Sequence, residues 1–319
     1  MNGVYVRPCV SSDLDALEDL AYSSPVGLTS LPEDRARLLQ RLTNSERSFS
    51  RDVTTPDKEE YLFALVDNTG RLLGVSGIVA RAGSEEPYFN FRRDYQQTFS
   101  QSLAEGRSID RLILTTENMN KSVFSAFFID PDYKTAQHTE LLARARILYM
   151  AQHPQRFCEQ VIVEFVGVTN AQAESPFWNA IGKAFFAMEY DEAEHLSATR
   201  RKHFIGELIP AYPLYVHLLP EDARAVLGDY DKRFQPMLDV ALNEGFTRTA
   251  CLDIFDAGPC YQIARDHLTT LRLSREKRVQ EGSHLVASGE GLDFRCEIMD
   301  ASELNPHGSV AWVPTGYAL

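Results

Sequence analysis

The chain has 319 residues, of which 44% are apolar and 24% are charged, which predicts one large domain with a small appendage or two domains of ordinary size. Its formal net charge at pH 7 is -13, from 45 acidic and 32 basic residues. Nucleic acids and anionic membrane surfaces favour a basic protein face, so we expect neither to be a main partner. A cationic substrate is compatible with this balance.

The sequence contains no signal for export or for a zinc site. No segment approaches ~18 uninterrupted apolar residues, and the N-terminus lacks the basic segment and apolar run of a secretory signal. We therefore expect a soluble, cytoplasmic protein. No Cys-x-x-Cys pair is present, so we predict no metal site and interpret the scattered cysteines as reduced, mostly buried thiols. They are Cys9, Cys158, Cys251, Cys260 and Cys296.

The first eighty residues predict the order strand, helix, helix, strand, strand. The first strand is 4–6, and Ser12 with Asp15 predicts a capping box ahead of the first helix. A turn at 67–70 joins two apolar runs into a hairpin over 61–79. Apolar residues spaced three and four apart predict the buried faces of the two helices. These faces are Leu14, Leu17, Leu20 and Ala21 in the first helix, and Ala36, Leu39 and Leu42 in the second, which follows Pro32.

The middle of the chain predicts alternating strands and helices. Residues 85–120 mix aromatic and polar side chains without a helical period, and we interpret them as an extended insertion with some strand character. The segments that follow predict a mixed sheet whose central pair of strands is joined by a right-handed crossover. They are a strand at 123–129, a helix at 137–152, a strand at 161–166 and a helix at 176–188 with proline in its first turn.

The last third of the chain is less regular. Residues 203–245 predict short helices separated by prolines, and from about 279 onward glycine, serine and proline become frequent. We therefore divide the chain into a domain at 1–278 and a short C-terminal β subdomain at 279–319, with truncation of that subdomain as an open alternative. The prolines are Pro210, Pro213, Pro220 and Pro236, and the predicted strands are 247–255, 260–265, 292–298 and 310–313.

Four short runs occur in the order found in one enzyme family. They are Gly-Leu-Thr-Ser-Leu-Pro at 27–32, Glu-Ser-Pro-Phe-Trp at 174–178, Tyr-Pro-Leu-Tyr at 212–215 and Asp-Ile-Phe-Asp-Ala-Gly-Pro at 253–259. In these runs the chain resembles the arginine N-succinyltransferases from residue 4 to about 278. Ser-Pro-Val at 24–26, and Val166 after Glu164 and Phe165, resemble the alpha subunit of the heteromeric arginine/ornithine enzyme more than the single-subunit form.

The resemblance implies an α+β fold of the GNAT-like type, a mixed β-sheet flanked by helices, with a C-terminal β appendage. It implies transfer of succinyl from succinyl-CoA to the α-amino group of L-arginine, or of ornithine, in arginine catabolism. Succinyl-CoA is then a co-substrate, and no permanently bound cofactor is expected. The resemblance also implies a homo- or hetero-oligomer with a related subunit.

Acyl transfer to an amine requires a donor for the developing oxyanion, a base for the amine and an acid for the leaving thiolate. The resemblance places the oxyanion donors on the strand at 123–129 and the CoA pyrophosphate at the N-terminus of the next helix. Catalytic family members have glycines before this helix, whereas here the side chains at 137–139 restrict the approach of the backbone. The candidate CoA-binding residues are Phe127, Phe128, Ile129, Lys134, Gln137, His138 and Thr139.

A second departure from the family pattern concerns the proton donor. The family has a histidine in a Gly-Gln-Val-His-Pro run, and Asp231 occupies that position here. An unperturbed aspartate titrates near ~3.9, so Asp231 can accept a proton or attract arginine but is poorly suited to donate a proton. Glu164 is the candidate base or arginine contact, with a charge paired inside the fold as the open alternative. Asp231 and Glu164 are thus the candidate catalytic residues.

Several alternatives stay open at the level of sequence. His138 fits a solvated helix position better than a phosphate ligand, and His203 and His217 fit partly buried structural positions better than catalytic ones. Asp253 and Asp256 fit a turn or strand end better than a guanidinium contact. The function itself has three interpretations. The chain is a succinyltransferase subunit, or a catalytically degenerate partner or regulatory subunit of such an enzyme, or an acyltransferase with changed substrates.

Overall fold

The computed structural model describes residues 3–25, 27, 28, 30–170, 172–190, 192, 193, 196, 203–209, 211–276, 281–304 and 311–315. Val26, Thr29, Pro210 and Val310, which belong to segments interpreted above, lie outside these residues, as does the side chain of His203.

The described strands form a single sheet in the order β13-β11-β12-β1-β2-β3-β6-β7-β10-β9-β4-β5-β8. The strands are β1 (Tyr5–Pro8), β2 (Glu60–Val66), β3 (Leu72–Val79), β4 (Asn90–Ser100), β5 (Glu105–Thr115), β6 (Ser122–Ile129), β7 (Gln160–Glu164), β8 (Leu214–Tyr215), β9 (Thr247–Leu252), β10 (Pro259–Ala264), β11 (Ser283–Ser288), β12 (Arg295–Asp300) and β13 (Ala311–Pro314).

Helices pack on this sheet, and α3 is buried on all sides from Leu141 to Met150. The described helices are α1 (Leu14–Tyr22), α2 (Arg35–Ser50), α3 (Ala136–Gln152), α4 (Lys183–Phe186), α5 (His203–Leu208), α6 (Glu221–Ala225), α7 (Gln235–Glu244) and α8 (Thr269–Glu276). The predicted α+β fold of GNAT-like type, a mixed sheet flanked by helices, is confirmed.

The two central strands run parallel and are joined through α3. Strand β6 pairs with β7 from Ser122 to Phe124, opposite Val161 to Val163, and the pairing ends there. The other pairings among the described strands are antiparallel. The predicted mixed sheet is therefore confirmed, and its two central strands separate beyond Phe124 and Val163.

The predicted insertion at 85–120 is a long hairpin. Strands β4 and β5 pair along their whole lengths, from Asn90 opposite Thr115 to Ser100 opposite Glu105. Strand β4 joins the main sheet next to β9, and β5 carries the short strand β8 on its other edge. The strand character expected of this segment is confirmed, and the hairpin extends the sheet on the side of β9.

The C-terminal strands extend the same sheet at its opposite edge. Strand β12 pairs with β1, β11 pairs with β12, and β13 pairs with β11. Strand β11 was not predicted, because its sequence Ser-His-Leu-Val-Ala-Ser follows a stretch rich in polar residues. The division into a domain at 1–278 and a subdomain at 279–319 stays a prediction.

Two details of the N-terminal helices were predicted wrongly. The capping carboxylate is Asp13, which accepts a hydrogen bond from the backbone N–H of Val10 at 2.9 Å and forms an ion pair with Arg7. The predicted capping box of Ser12 and Asp15 does not form, because α1 begins only at Leu14, after a 3-10 turn at 11–13.

The buried stripe of α2 differs from the prediction at two of the three predicted positions. Ala36 is exposed and Leu39 is 43% exposed, whereas Leu42 is buried as expected. Hydroxyl groups explain the difference, because Ser45 accepts a hydrogen bond from the N–H of Leu62 and therefore faces the sheet. The stripe is Leu38, Leu42, Ser45, Ser48 and Phe49.

The predicted helix at 176–188 is shorter than expected and irregular. A π-helical turn at Trp178–Gly182 leads into α4, and Ala187 ends it with a left-handed φ of 53°. The ring of Trp178 packs where a Cβ on Gly182 would lie, at 2.1 Å, which leaves no space for another side chain there. All five cysteines are buried and free of disulfides, which confirms their interpretation as buried thiols.

Candidate active site

A cleft of about 480 Å³ opens where β6 and β7 separate. Residues 123–127 of β6 and 163–166 at the end of β7 form its centre. The segment 81–89 between β3 and β4, and residues of α2, form its walls. The separation of the parallel pair therefore creates the space, and elements from both halves of the chain enclose it.

Strand β6 contains a bulge at the cleft. Val75 of β3 lies opposite Phe128, and Gly77 lies opposite Ser125, so one residue of β3 faces two residues of β6. Ala126, one of the two, has a left-handed φ of 52° and donates its N–H to Ser30 Oγ at 2.8 Å rather than to a strand. The bulge thus turns backbone groups of β6 away from the ladder next to the cleft.

Glu164 lies at the end of β7 and lines the cleft. Its carboxylate accepts hydrogen bonds from Tyr88 Oη at 2.5 Å and from Asn90 Nδ2 at 2.7 Å. Burial of the Tyr88 hydroxyl, together with the negative charge of Glu164, raises the pKa of Tyr88 well above its ordinary value. Tyr88 therefore remains protonated at neutral pH and keeps donating to the carboxylate.

A buried network continues behind Glu164. Asn90 is fully buried, and its Oδ1 accepts from Asn118 Nδ2 at 2.9 Å. Lys121 Nζ donates in turn to Asn118 Oδ1 at 2.8 Å. These residues belong to the β4–β5 hairpin and the loop after it, so the insertion orients the carboxylate that the central strand supplies.

The wall formed by α2 and its neighbours carries charges of both signs. Arg41 pairs with Glu60 at 3.1 Å, and Lys58 lies 3.9 Å from Glu85. Arg37 also lines the cleft and donates to Gln40 Oε1 at 3.2 Å. A ligand with both anionic and cationic groups would find partners for each on this wall.

The predicted CoA-binding residues lie on two separate parts of the structure. Phe127 lines the cleft, whereas Phe128 packs on the other face of the sheet with the α1 and α2 core. Ile129 is buried in the main core at the end of β6. Sequence alone did not distinguish these faces, because the bulge at Ala126 interrupts the alternation of side chains along β6.

The remaining predicted CoA-binding residues lie around the N-terminus of α3. Thr135 is the N-cap and accepts a hydrogen bond from the N–H of His138. The His138 ring donates through Nδ1 to the carbonyl oxygen of Tyr133 at 2.6 Å, and Lys134 Nζ donates to the carbonyl oxygen of Arg233 at 2.6 Å. Gln137 is exposed and Thr139 is buried. Their role in CoA binding stays a prediction.

Asp231 lies close to the end of β7 but is not among the residues lining the cleft. Its N–H donates to the carbonyl oxygen of Val166 at 2.9 Å, and its carboxylate accepts from Arg233 Nε at 2.8 Å. Burial alone would raise the pKa of Asp231, but the hydrogen bonds and charge of Arg233 outweigh burial and lower it. Asp231 is therefore an ionised, paired carboxylate at neutral pH, and its catalytic role stays a prediction.

The run at 253–259 forms a tight turn beside the cleft. Asp253 accepts from the N–H groups of Phe255 and Asp256, and Asp256 accepts from those of Gly167 and Gly258 at 2.7 Å each. A Cβ on Gly258 would lie 2.0 Å from the carbonyl oxygen of Phe165, so only glycine fits there. The turn-forming interpretation of both aspartates agrees with the structure.

Comparison with known proteins shows where this architecture occurs. A sequence model described as the arginine N-succinyltransferase beta subunit matches residues 4–270. The chain belongs to the arginine N-succinyltransferase family. A solved structure, that of arginine/ornithine succinyltransferase subunit AI from Pseudomonas aeruginosa, superimposes with a TM-score of 0.87 at 34% identity, covering 99% of this chain and 100% of the other.

Family members of both subunit types are similar to this chain. Arginine N-succinyltransferase subunit alpha of Pseudomonas aeruginosa is 39% identical over 303 residues, covering 92% of this chain and 90% of the relative. The beta subunit of the same organism is 36% identical over 85% of this chain and 79% of its own length. The arginine N-succinyltransferase of Citrobacter koseri is 34% identical over 87% of this chain and 80% of its own length.

The structure of this chain places three residues at or beside the cleft that the sequence does not single out. They are Tyr88 and Asn90, which lie in the predicted insertion, and Arg146, which lies in the predicted apolar helix. A signal existed for Arg146, because the run Leu-Leu-Ala-Arg-Ala-Arg-Ile-Leu-Tyr-Met places arginines in a segment that is otherwise entirely apolar. Tyr88 and Asn90 had no comparable signal, since their partner Glu164 is 74 or more residues away.

Two further findings concern metal sites and membrane spans among the described residues. The described residues contain no group of three or more histidine, cysteine, aspartate or glutamate side chains arranged to hold a metal ion. Within the described ranges, every helix is too short or too polar to cross a membrane.

Proposed function

We propose that the chain is an arginine N-succinyltransferase subunit that transfers succinyl from succinyl-CoA to the α-amino group of L-arginine or ornithine. The observation that carries this proposal is the position of Glu164, a carboxylate held by two hydrogen-bond donors inside the cleft between β6 and β7. Membership of the arginine N-succinyltransferase family supplies the reaction class. Its cytoplasmic location, in arginine catabolism, belongs to the same proposal.

Glu164 is assigned the role of base. The α-ammonium group of arginine gives a proton to the carboxylate, directly or through water, and the free amine attacks the thioester carbonyl carbon. A C–N bond forms and the C–S bond then breaks. The attacking nitrogen loses its second proton as it becomes an amide, and the CoA thiolate takes up that proton and leaves as free thiol. Tyr88 and Asn90 hold the carboxylate in place while this occurs.

Stabilisation of the oxyanion that forms on the thioester carbonyl is assigned to donors on β6. Buried, preorganised donors stabilise the negative charge that develops on a carbonyl oxygen. Ser125 lines the cleft, and its Oγ is buried without a hydrogen-bond partner among the described atoms. Backbone groups at the bulge around Ala126 supply further candidates. The CoA pyrophosphate is assigned to the N-terminus of α3, where unpaired N–H groups and the helix dipole favour anions.

The acceptor amino acid is assigned to the wall of mixed charge. L-Arginine carries an α-carboxylate, an α-ammonium and a guanidinium group, so its site requires charges of both signs. Arg37 can meet the carboxylate, and Glu85 with Glu86 can meet the guanidinium, since all three line the cleft. Ornithine has a shorter cationic side chain and fits the same wall, so we propose both amino acids as acceptors.

We also propose that the chain works in an oligomer with a related subunit. The similarity of this chain to both an alpha and a beta subunit supports this. The β4–β5 hairpin is a candidate contact, because Tyr95 in the middle of β4, and Phe99 and Leu103 near the tip, are exposed by 56%, 67% and 66%. Exposed apolar side chains on a projecting hairpin are typical of subunit interfaces.

Release of free CoA thiol from succinyl-CoA tests the proposal. The purified chain should release CoA only when L-arginine or ornithine is present, and a thiol reagent measures this directly. The same assay is repeated after mixing with a related subunit from the same organism. Failure of release in both forms would exclude transferase activity. Release only in the mixture would favour the second candidate function, a catalytically degenerate partner subunit. Two observations motivate this candidate: residues 137–139 carry side chains where catalytic members have glycines, and Asp231 is held in an ion pair.

A change at Asp231 has a small expected effect. We expect Asp231→Ala to lower kcat by less than about tenfold, below the ~10²–10⁴-fold contribution of a general acid. The reason is that Arg233 keeps the carboxylate ionised, so Asp231 has no proton to give. Steady-state CoA release at neutral pH measures this. A loss of a hundredfold or more, with an unchanged circular dichroism spectrum, would instead assign Asp231 to the reaction itself.

A further inference from the structure

Arg146 is a buried cation at the base of the cleft. It lies in the middle of α3, is only 1% exposed, and is among the residues that line the cleft. Its guanidinium carbon lies 4.4 Å from the ring centroid of Phe124 and 5.5 Å from that of Phe127. Both rings belong to β6, so the charge lies directly next to the place where the central strands separate.

No acidic side chain of the described chain neutralises Arg146. It donates to the carbonyl oxygens of Gly77 and Ala143 at 3.3 Å each, longer than the usual range for such bonds. Arg144, on the same helix, is instead paired with Glu140 and Glu244. Burial lowers the pKa of Arg146 to about 9, as expected for a cation that lacks a nearby carboxylate.

The surroundings of Arg146 fit a carboxylate at the end of a short apolar chain. A guanidinium binds a carboxylate through two parallel N–H···O bonds, and the stacking on Phe124 fixes its plane. The rings of Phe124 and Phe127 provide an apolar wall for methylene groups. A hydrated CoA phosphate fits this buried position poorly, whereas the exposed N-terminus of α3 suits it.

We propose that Arg146 binds the free carboxylate of the acyl group and thereby selects a dicarboxylic acyl-CoA as donor. This inference rests on the proposed function, since it concerns the donor of the same reaction. The carboxylate replaces the two long bonds to carbonyl oxygens with short, charge-assisted ones. An acyl chain ending in a methyl group leaves Arg146 buried without a counter-charge and places an apolar group against it.

Binding of succinyl-CoA and butyryl-CoA tests this directly. The two thioesters have four-carbon acyl groups that differ only in ending with a carboxylate or a methyl group. We expect the protein to bind succinyl-CoA about 100-fold or more tightly than butyryl-CoA, because buried polar groups reject ligands that leave them unpaired. Isothermal titration calorimetry with each thioester measures this ratio.

The variant Arg146→Met should abolish the preference. Methionine fills a similar volume between the phenylalanine rings but cannot pair with a carboxylate, so affinity for succinyl-CoA should fall while that for butyryl-CoA stays within about threefold. Arg47→Met, at an exposed position of α2 that does not line the cleft, is the matched control and should keep the original ratio. Arg146→Lys, which keeps the charge but loses the paired N–H geometry, should retain part of the preference.

The outcomes separate this inference from the proposed function. Equal affinity of the unmodified protein for both thioesters overturns the carboxylate site, as does a folded Arg146→Met protein that keeps the preference. If Arg146→Met does not fold, the comparison of thioesters on the unmodified protein and on Arg146→Lys still decides. A preference for succinyl-CoA without arginine-dependent CoA release supports the carboxylate site and removes the proposed acceptor reaction.

Discussion

Replacement of Glu164 by glutamine is expected to lower kcat/KM for L-arginine by about 10²–10⁴-fold, the usual contribution of a general base. Glutamine has nearly the same shape and can still accept a hydrogen bond from Tyr88 or Asn90, but it cannot take a proton from the substrate ammonium. The affinity for succinyl-CoA should change little, because the base acts on the acceptor. Steady-state CoA release, with calorimetry for the donor, measures both effects.

Two further variants separate a chemical role of Glu164 from a structural one. Tyr88→Phe removes the donated hydrogen bond but keeps the carboxylate, so its effect on kcat should be smaller than that of Glu164→Gln. Glu281→Gln, at an exposed position before β11 that does not line the cleft, removes an acidic charge elsewhere and should behave like the unmodified protein. If Glu164→Gln lowers the melting temperature but leaves kcat/KM intact, Glu164 is a structural residue and not the base.

The central part of the fold could be predicted because its signals are local. The apolar run of β6, the helical spacing of α3 and the apolar run of β7 each lie within one element, and the structure confirms all three. The stripe of α2 was misplaced because Ser45 is buried through a bond to Leu62, which is 17 residues away. Similarly, β11 becomes a strand because β12 and β13 pair with it on both sides, although its own sequence is only weakly strand-like.

The candidate site was predictable only in part, for a related reason. Glu164 stood out as a charge on a central strand, and the structure places it in the cleft. Its partners Tyr88 and Asn90 reach it through the pairing of β4 with β9, which no local pattern specifies. Asp231 was predictable as a candidate because it occupies the family's histidine position, but the neighbouring Arg233 determines its ionisation. The hydrogen-bond partners of Glu164 and the ionisation of Asp231 therefore depend on contacts that the local sequence pattern does not specify.

Substitution of Glu244 by alanine is expected to destabilise the folded protein by about 3–5 kcal/mol. The reason is that the substitution removes one partner of a buried ion pair and leaves the other partner buried. Glu244 is 1% exposed at the end of α7 and lies 3.4 Å from Arg144 Nε. It also accepts hydrogen bonds from the N–H and the hydroxyl of Thr270, at 2.8 and 2.5 Å, in the first turn of α8. One carboxylate thus joins α7, α3 and α8, and its loss leaves buried donors of two elements without their acceptor.

Urea-induced unfolding measures the change in the free energy of unfolding, and substitutions of two other carboxylates provide a scale for it. Glu140 also pairs with Arg144, but its side chain is 21% exposed, so water can replace part of its interaction and Glu140→Ala should cost less than Glu244→Ala. Glu105→Ala, at an exposed position, should change the free energy of unfolding by less than about 0.5 kcal/mol. If Glu244→Ala proves no more destabilising than Glu105→Ala, the junction of the three helices is held by apolar packing alone. The order Glu244, Glu140, Glu105 would instead show that the buried carboxylate contributes to holding α3, α7 and α8 together.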